Sequence, residues 1–235
     1  MLEIVEFGMI NGQTALGSGI VNNPSNNQNC FFITGSTASY GNGSGQASST
    51  QVSINGNIST QTEAGKLAIT YRGMENPWGN LWQMIGGVNV YGNSAMNGGA
   101  AYICTDFDYT PGVNGSNYED VGFNFPYAYK WISAFGLGNT KYDWVFLPAE
   151  CASSATSLLP VGDGLWSTNN LNGINILASG GSYGFGDECG PFYYAVDRDM
   201  STSARPNYGV KLMYIPTKNS IYESNIAKWT AHMGG

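Results

Sequence analysis

The densest group of chemically active side chains lies in residues 180–199, GGSYGFGDECGPFYYAVDRD. It carries four acids and one arginine within thirteen positions, namely Asp187, Glu188, Asp197, Arg198 and Asp199. Carboxylates and a guanidinium can hold a ligand by charge-assisted hydrogen bonds. The aromatic run at 192–194 is instead typical of a protein core. This segment is therefore predicted to be partly buried in the core and partly exposed to solvent.

Two pairs of acids could in principle perform acid–base chemistry. Asp106 and Asp108, like Asp197 and Asp199, are spaced i, i+2, so each pair would share one face of a strand. Glycosidases use two carboxylates of this kind. Sparse acids at loop edges also keep a weakly charged protein soluble, and we favour that interpretation. We therefore predict a protein that is not an enzyme.

The residues that could bind metals are scattered along the chain. The only histidine is His232, and there is no CxxC pair among the four cysteines, Cys30, Cys104, Cys151 and Cys189. Zinc sites need clustered ligands, so we predict no metal and no cofactor. Oxygen ligands for calcium could come from Asp106, Asp108, Asn114 and Asp120. Free thiols and two disulfides both remain open, and we favour free thiols.

Composition narrows the class of protein. The 235 residues are 42% apolar, which supports a packed core, but only 11% are charged, against about 25% in an average domain. Surfaces rich in Asn, Ser, Thr and Gly are common in extracellular β-rich proteins and virion fibres. The net charge of -7 repels phosphate, so nucleic acid is not expected as a partner. We predict no membrane insertion, because no apolar run of 18 residues occurs, and the N-terminus does not resemble a secretory signal.

Short alternating or apolar segments separated by Gly, Asn and Pro predict many strands. Strands are expected in CFFITG, QVSING, LWQMIGGVNVYG, AAYICTDF, YDWVFLP, ILASGGSYG, PFYYAVDRD and NYGVKLMYIP. One short turn of helix is expected within GFNFPYAYKWISAFGLG. We predict a single domain over 1–216, in which 22–65 is a long polar loop region that can still pack through short strands. Residues 217–235 are predicted to be a tail or a short helix.

The tryptophans divide into two groups by their surroundings. Trp78, Trp82, Trp131 and Trp144 lie in apolar segments and are predicted to fill the core. Trp166 lies in the polar stretch GDGLWSTNN and is less easily buried. We expect it at the rim of a binding face.

Three motifs carry a family resemblance. YRGMENPWGNLWQMIGGVNV resembles the GNVWEW element of C-type lectin-like folds of the formylglycine-generating-enzyme type. YDWVFLPAE is similar to the DWLFLPSE element of phage virion proteins with that fold. GGSY…GPFYYAVDR…NYGVKL resembles the ending shared with variable proteins of diversity-generating retroelements. The motifs occur in the family's order and span 71–212.

The resemblance implies an α+β, C-type lectin-like fold, mostly antiparallel β with long irregular loops and few short helices. It also implies that the glycine-rich turn and the strand after it form the floor of a ligand-binding face. Phe192, Tyr194 and Val196 would then point into the core. The outward side chains would form the site, which would consist of Gly184, Phe185, Asp187, Glu188, Tyr193, Ala195, Asp197, Arg198 and Asp199, with Trp166 at the rim.

The resemblance further implies a virion protein on the surface of a tailed bacteriophage, at the tip of a tail or head fibre. It would bind a host cell-surface receptor, contact other virion proteins and form a homotrimer. The alternatives are a capsid or tail decoration protein without an external ligand, and a glycan depolymerase. The copper oxidases of this fold need a cysteine pair after GGSY, and only Cys189 occurs there, so oxidase activity is not implied.

Overall fold

The computed structural model describes residues 12–22, 31–54, 56–92, 98–106, 117–167, 173–196, 207–209 and 211. This part of the chain is largely β, as predicted, with one short α-helix, α1 (Gly12–Leu16), and two 3₁₀ helices of one turn each, Ala38–Tyr40 and Gly186–Glu188. The C-type lectin-like topology stays a prediction. The strands are β1 (Phe31–Phe32), β2 (Gly45–Gln46), β3 (Thr50–Ile54), β4 (Asn57–Gln61), β5 (Ile69–Tyr71), β6 (Met74–Glu75), β7 (Trp82–Gly92), β8 (Gly99–Cys104), β9 (Tyr118–Phe125), β10 (Ala128–Leu137), β11 (Phe146–Cys151), β12 (Gly164–Ser167), β13 (Gly173–Ser179), β14 (Tyr194–Val196) and β15 (Tyr208–Gly209).

Nine strands form the main sheet, in the order β11, β10, β12, β14, β13, β7, β8, β9, with β15 beside β7. The pairs β12–β14 and β7–β15 are parallel, whereas the other pairs in this sheet are antiparallel. The sheet curls until β9 lies close to β11. There, the backbone N–H of Asn139 donates to the carbonyl oxygen of Val121 at 2.8 Å. The main sheet is therefore nearly closed and surrounds a core.

That core is the largest apolar cluster of the described residues. Buried side chains from eight strands, β7 to β14, meet in it, including Val90, Val121, Leu165, Leu177 and Val196. Burying one aliphatic side chain of this size contributes about 1.5–3 kcal/mol. The predicted inward facing of β14 is confirmed, because Tyr194 and Val196 lie in this cluster and Phe192 packs against it.

The opposite face of β14 is also covered. Tyr193 and Ala195 are 0% and 1% exposed and lie in a second apolar cluster with Trp78 and Trp82. The predicted exposure of Tyr193 and Ala195 is therefore wrong. The physical reason is a second layer, made by the segment around Trp78 and by the 180–193 turn itself, which folds over this face of the sheet. Strand alternation holds, but neither face of β14 is open to solvent.

The N-terminal half builds two small sheets, β1–β3–β4 and β2–β5–β6. The strands predicted in CFFITG and QVSING are present as β1 and β3, and β4 forms a hairpin with β3. Phe32 and Val52 from this region are buried in a third cluster with Ile20 and Tyr183. The described part of 22–65 thus packs through strands as well as loops.

A tight turn at 76–80 ties these layers together. Asn76 and Asn80 have φ values of 47° and 57°, in the left-handed region that Asn tolerates better than most residues. Gly79 has a φ of 71° and lies so close to the backbone that a Cβ would be 2.8 Å from the carbonyl oxygen of Ile20. Its N–H donates to the carbonyl oxygen of Gly180 at 2.8 Å. The ENPWGN turn, predicted from its glycine and proline, therefore anchors the start of the 180–193 turn.

Two further expectations are corrected by the structure. The segment predicted to hold a helical turn instead forms two strands, β9 and β10, separated by Pro126 and Tyr127. Trp144, predicted to fill the core, is 64% exposed, because it lies in the loop that connects β10 to β11. Trp131 is only partly buried, whereas Trp78 and Trp82 fill the core as predicted.

Candidate ligand-binding cleft

The glycine-rich turn at 180–193 folds back tightly on itself. Gly180 and Gly181 have φ values of 87° and 77°, and the N–H of Gly180 donates to the carbonyl oxygen of Tyr193 at 2.8 Å. A Cβ on Gly181 would collide with the Sγ of Cys189. The buried Cys189 thiol donates to the carbonyl oxygen of Ser182 at 3.5 Å. The spacing GGSYGFGDECG is therefore needed to bring Glu188 back over the sheet.

A buried carboxyl group holds the end of this turn. Asp163, just before β12, is 0% exposed, and its Oδ2 accepts the backbone N–H of Phe192 at 2.6 Å. Gly190 packs against it, because a Cβ there would collide with the Asp163 carboxyl. Burial raises the pKa of Asp163 to about 8, although the hydrogen bond from Phe192 acts in the opposite direction. Asp163 thus fixes the turn that carries Glu188.

Glu188 is held by two tyrosines from different parts of the chain. The hydroxyl of Tyr129 in β10 donates to Oε1 at 2.8 Å. The hydroxyl of Tyr193 donates to Oε2 at 2.7 Å. A carboxylate has about four lone-pair sites, so each oxygen keeps one acceptor position for a ligand. The side chain is therefore a fixed acceptor.

The two tyrosines stay protonated across the physiological range. Burial, followed by the hydrogen bond to Glu188, raises the pKa of Tyr129 to about 12. Burial and the charge of Glu188 raise the pKa of Tyr193 far above its usual value. Both hydroxyls therefore act as donors to Glu188.

The strand register places the aromatic residues around Glu188. Tyr129 pairs with Trp166, and Trp131 pairs with Gly164, so all four residues share one face of the sheet. A Cβ on Gly164 would be 3.0 Å from the Tyr193 ring and 3.3 Å from the Cβ of Glu188. Glycine at this position therefore leaves the space that Tyr193 and Glu188 occupy.

A row of rings runs from the buried layer to the surface. Trp82 lies 4.6 Å from Tyr193, and Phe185 lies 5.3 Å from Trp166, measured between ring centroids. Trp166 is in turn 6.0 Å from Tyr129, which is 61% exposed. Offset and edge-on ring pairs at these distances add about 0.5–1.5 kcal/mol each. The exposed end of the row is consequently supported by a rigid interior.

A cleft of about 230 Å³ opens beside Glu188 and Tyr129. One wall is the start of β10, the other is the segment that follows β11, and the floor is the start of β12. The lining residues are Tyr129, Lys130, Trp131, Ala152, Ser153, Ala155, Gly164, Leu165 and Glu188. Small-molecule sites are typically clefts in which a few polar groups fix orientation. This cleft is the candidate functional site.

The predicted site residues separate into three groups. Gly184, Phe185, Glu188 and Trp166 are partly exposed and Asp187 is exposed, and Glu188 lines the cleft. Tyr193 and Ala195 are buried, although the hydroxyl of Tyr193 reaches Glu188. Asp197, Arg198 and Asp199 lie outside the described residues.

The residues of β10 that line the cleft were not predicted from the sequence. Tyr129, Lys130 and Trp131 lie in the segment YAYKW, where a lysine between two aromatic residues is the only signal in the sequence. The chain separates Tyr129 from Glu188 by 59 residues. The pairing of β10 with β12 brings them together.

The cysteines and the possible calcium ligands named in the sequence analysis are not among the residues that line this cleft. Within the described ranges, no group of three or more His, Cys, Asp or Glu side chains could hold a metal ion. Cys104, Cys151 and Cys189 form no disulfide with one another, and burial raises the pKa of Cys151 to about 11. Asp120 Oδ1 accepts the N–H of Gly122 at 2.7 Å, whereas Asp108 and Asn114 are outside the described residues.

Comparison of the chain with protein-family models, curated proteins and solved structures finds no match. The helices of the described part include none with the length and apolar character needed to cross a membrane.

Proposed function

We propose that this chain is a receptor-binding protein of a bacteriophage virion, and that its ligand binds in the cleft at Glu188. The observation that carries the proposal is the Glu188 carboxylate, fixed by the hydroxyls of Tyr129 and Tyr193 beside an exposed aromatic ring. A side chain held this way has already lost its conformational freedom. Binding then costs less entropy, since about 0.5–1.5 kcal/mol is needed to immobilise each flexible side chain.

The residue types of the cleft are those that anchor interfaces. Tyrosine and tryptophan offer large contact area at low entropy cost, and Tyr129 and Trp131 both line the cleft. Phe185 and Trp166 support them from the interior side. This favours a recognition surface over a surface shaped only by solubility.

The virion context rests on the sequence motifs described above and on composition. Fibre proteins bind a cell more tightly when several linked copies bind at once, because linkage can raise avidity by about 10²–10⁴-fold without a new contact. A cleft that binds one small group weakly is useful to such an assembly. We therefore place the protein at the tip of a tail or head fibre, as a homotrimer.

Binding of the purified, fluorescently labelled chain to a panel of bacterial strains tests this proposal. On a strain that binds the parent, we expect Tyr129→Ala and Glu188→Gln each to weaken binding about tenfold or more, as loss of a central anchor does. Glu188→Gln replaces one acceptor oxygen by an amide NH₂, which faces a tyrosine hydroxyl and cannot accept its proton. Both variants should keep a melting temperature close to that of the parent.

Two matched controls accompany these variants. Trp144→Ala removes an exposed aromatic in the β10–β11 turn, and Glu63→Gln removes an acid paired with Lys66. Neither lines the cleft, so both should bind like the parent. If all four variants bound as well as the parent, the proposal would be contradicted. Binding to virions alone would favour a decoration protein, and release of sugar from host envelopes would favour a depolymerase.

A further inference from the structure

The negative charge of Glu188 has no positive charge beside it among the described residues. In this part of the chain, the partners of its carboxylate are two neutral hydroxyls, those of Tyr129 and Tyr193. The ion pairs here involve other acids, Glu63 and Glu119. A carboxylate in a partly enclosed site loses solvation unless an opposite charge approaches it. The cleft is therefore suited to a ligand that carries a positive charge.

Lys130 does not neutralise this carboxylate, although it contributes to the lining of the cleft. It lies between Tyr129 and Trp131 in β10 and pairs with Leu165, a residue of the main core. Because successive side chains of a strand point to opposite faces, Lys130 lies on the other face of the sheet from Glu188 and the rings. The net charge of -7 also favours a cationic ligand over an anionic one.

Aromatic rings lie on the same face as Glu188. Tyr129 and Trp131 are at i and i+2 of β10, so they share that face, and both line the cleft. The hydroxyl of Tyr129 donates to Glu188 at 2.8 Å, and the tyrosine is 61% exposed. Faces of Tyr and Trp attract organic cations, and a planar guanidinium also stacks on them. Rings beside a carboxylate thus favour an organic cation.

The free acceptor positions of Glu188 favour a guanidinium over other organic cations. Each carboxylate oxygen accepts one tyrosine hydroxyl and keeps one position for a further donor. A guanidinium offers two parallel N–H donors that match the two oxygens of a carboxylate, whereas an ammonium acts as a point charge. A quaternary ammonium has no N–H and is bound where rings surround it, but the rings of Tyr129 and Trp131 belong to one wall of the cleft.

The edge of β10 beside the cleft can bind a peptide main chain. β10 pairs with β11 from Ile132 onward, and among the described residues 128–131 pair with β12 alone. The N–H of Ile132 donates to the carbonyl oxygen of Asp163, on the β12 side, at 3.1 Å. Hydrogen-bonding directions alternate along a strand, so the N–H groups of Tyr129 and Trp131 point to the opposite edge, where the cleft opens. Extended peptides add to strand edges through such main-chain groups.

We propose that this cleft binds an arginine side chain of a protein receptor, carried on an extended segment that adds to the edge of β10. The inference rests on the proposed function, because it names the chemical class of the receptor. The guanidinium would donate to both oxygens of Glu188, with the side chain packed against the ring of Tyr129. The volume of about 230 Å³ is below the range of about 300–1,000 Å³ typical of clefts for drug-sized ligands, and it suits a single side chain.

A neutral sugar fits these observations less well. It could stack on Tyr129, and its hydroxyls could donate to Glu188, but the negative charge would stay uncompensated. A sugar would also lack the regular main-chain donors and acceptors that pair with a strand edge. A protein ligand accounts for both the carboxylate and the edge of β10.

Calorimetric titration of the full chain with capped pentapeptides of the sequence Thr-Val-X-Val-Thr tests the inference. Position X would hold arginine, lysine or citrulline, the uncharged isostere of arginine. We expect the arginine peptide to bind most tightly, the lysine peptide several-fold more weakly, and the citrulline peptide about tenfold more weakly, because hydrogen bonds between charged groups are the stronger ones. Methylguanidinium, which lacks the main chain, should bind more weakly than the arginine peptide, and galactose should not bind measurably.

Three variants assign the effect to the cleft. Glu188→Gln should remove the preference for arginine over citrulline, because the charge that distinguishes these peptides is gone. A merely structural role of Glu188 would instead weaken both peptides equally. Tyr129→Leu should weaken the arginine peptide about tenfold, as loss of an aromatic anchor does. Glu63→Gln removes an acid outside the cleft and should bind every peptide like the parent.

Three results would overturn the inference. The first is a citrulline peptide that binds as tightly as the arginine peptide, or a preference for arginine that persists in Glu188→Gln. The second is galactose binding more tightly than the arginine peptide, which would indicate a glycan ligand. The third is equal affinity for methylguanidinium and the arginine peptide, which would indicate a small guanidinium compound in place of a protein segment.

The inference and the proposed function can fail separately. If Tyr129→Ala abolishes cell binding but the arginine peptide neither binds nor competes with cells, the cleft is a receptor site for another ligand, and the inference is overturned. If the arginine peptide binds in the titration while no bacterial strain binds the parent, the ligand class stands and the receptor role falls.

Discussion

Asp163 shows how a single buried group controls the candidate site. Its carboxyl lies under the 189–192 turn, where Oδ2 accepts from Phe192. No donor from the described residues reaches Oδ1. The raised pKa follows from this burial, because the charged form loses water without gaining a cation. Burial, followed by the charge of Asp163, raises the pKa of the neighbouring Cys189 thiol.

The first prediction concerns the pH dependence that Asp163 creates. Its pKa rises from 3.8 to about 8 in the folded chain, so the folded state binds more protons than the unfolded state between these values. Stability is therefore fully present below pH 3.8 and falls as the pH rises through about 8. Chemical denaturation at pH 5, 6, 7 and 8 should show the parent losing up to about 1.4 kcal/mol per pH unit relative to Asp163→Asn.

The asparagine variant is a close control, because its amide oxygen can still accept the Phe192 N–H. Parallel stability curves for the parent and Asp163→Asn would contradict the assigned pKa. The position could not be assigned from sequence, since GDGLW carries no sign that its acid is buried. Burial depends on the later turn at 189–192.

In β14, the alternation of side chains separates the two faces of the strand, but it does not show what covers each face. The inward facing of Tyr194 and Val196 is implied by strand alternation together with the family resemblance. The covering of Tyr193 and Ala195 is not, because it depends on Trp82, which lies more than a hundred residues earlier. A three-residue strand that is covered on both faces has the same sequence pattern as a strand with one solvent-exposed face.

The second prediction follows from this double burial. Tyr193→Ala and Tyr194→Ala should each cost about 3 kcal/mol or more in unfolding free energy, as large-to-small core changes do. The two rings fill different clusters, so both changes should destabilise although they lie on opposite faces. Urea unfolding of each variant measures the loss. A cost below 1 kcal/mol for Tyr193→Ala would show that its face is open.

The third prediction concerns the pairing of β10 with β12. Gly164→Ala places a methyl group 3.0 Å from the Tyr193 ring and 3.3 Å from Glu188 Cβ, which is tighter than ordinary van der Waals contact. Glu188 should shift away from Tyr129, and cell binding should fall several-fold while the chain stays folded. Binding assays with a parallel melting curve would check this. Unchanged binding in a folded variant would mean that the position of Glu188 is not critical.

At the scale of the whole molecule, the nearly closed sheet provides the rigid support that the cleft requires. The largely β content was predictable from short alternating segments and frequent Gly, Asn and Pro. The strand order was not, because β12 pairs in parallel with β14 and in antiparallel with β10. Such long-range pairings leave no local signature. The β10 wall of the cleft was missed for that reason.

The fourth prediction concerns assembly. We expect a homotrimer joined through the N-terminal region or the 217–235 tail, and that tail lies outside the described residues. Multi-angle light scattering should give about three times 25.1 kDa. A mass equal to one chain across a hundredfold range of concentration would contradict it.

The central claim is that the receptor binds at the cleft, and protection of Lys130 from acetylation tests it most directly. The chain would be acetylated free and when bound to receptor-bearing cells, and each lysine then quantified by mass spectrometry. Lys130 lines the cleft, whereas Lys141 is an exposed lysine outside the lining and pairs with Glu119. We predict that binding protects Lys130 at least several-fold and leaves Lys141 unchanged. Equal labelling of Lys130 in the free and bound chain would contradict the claim.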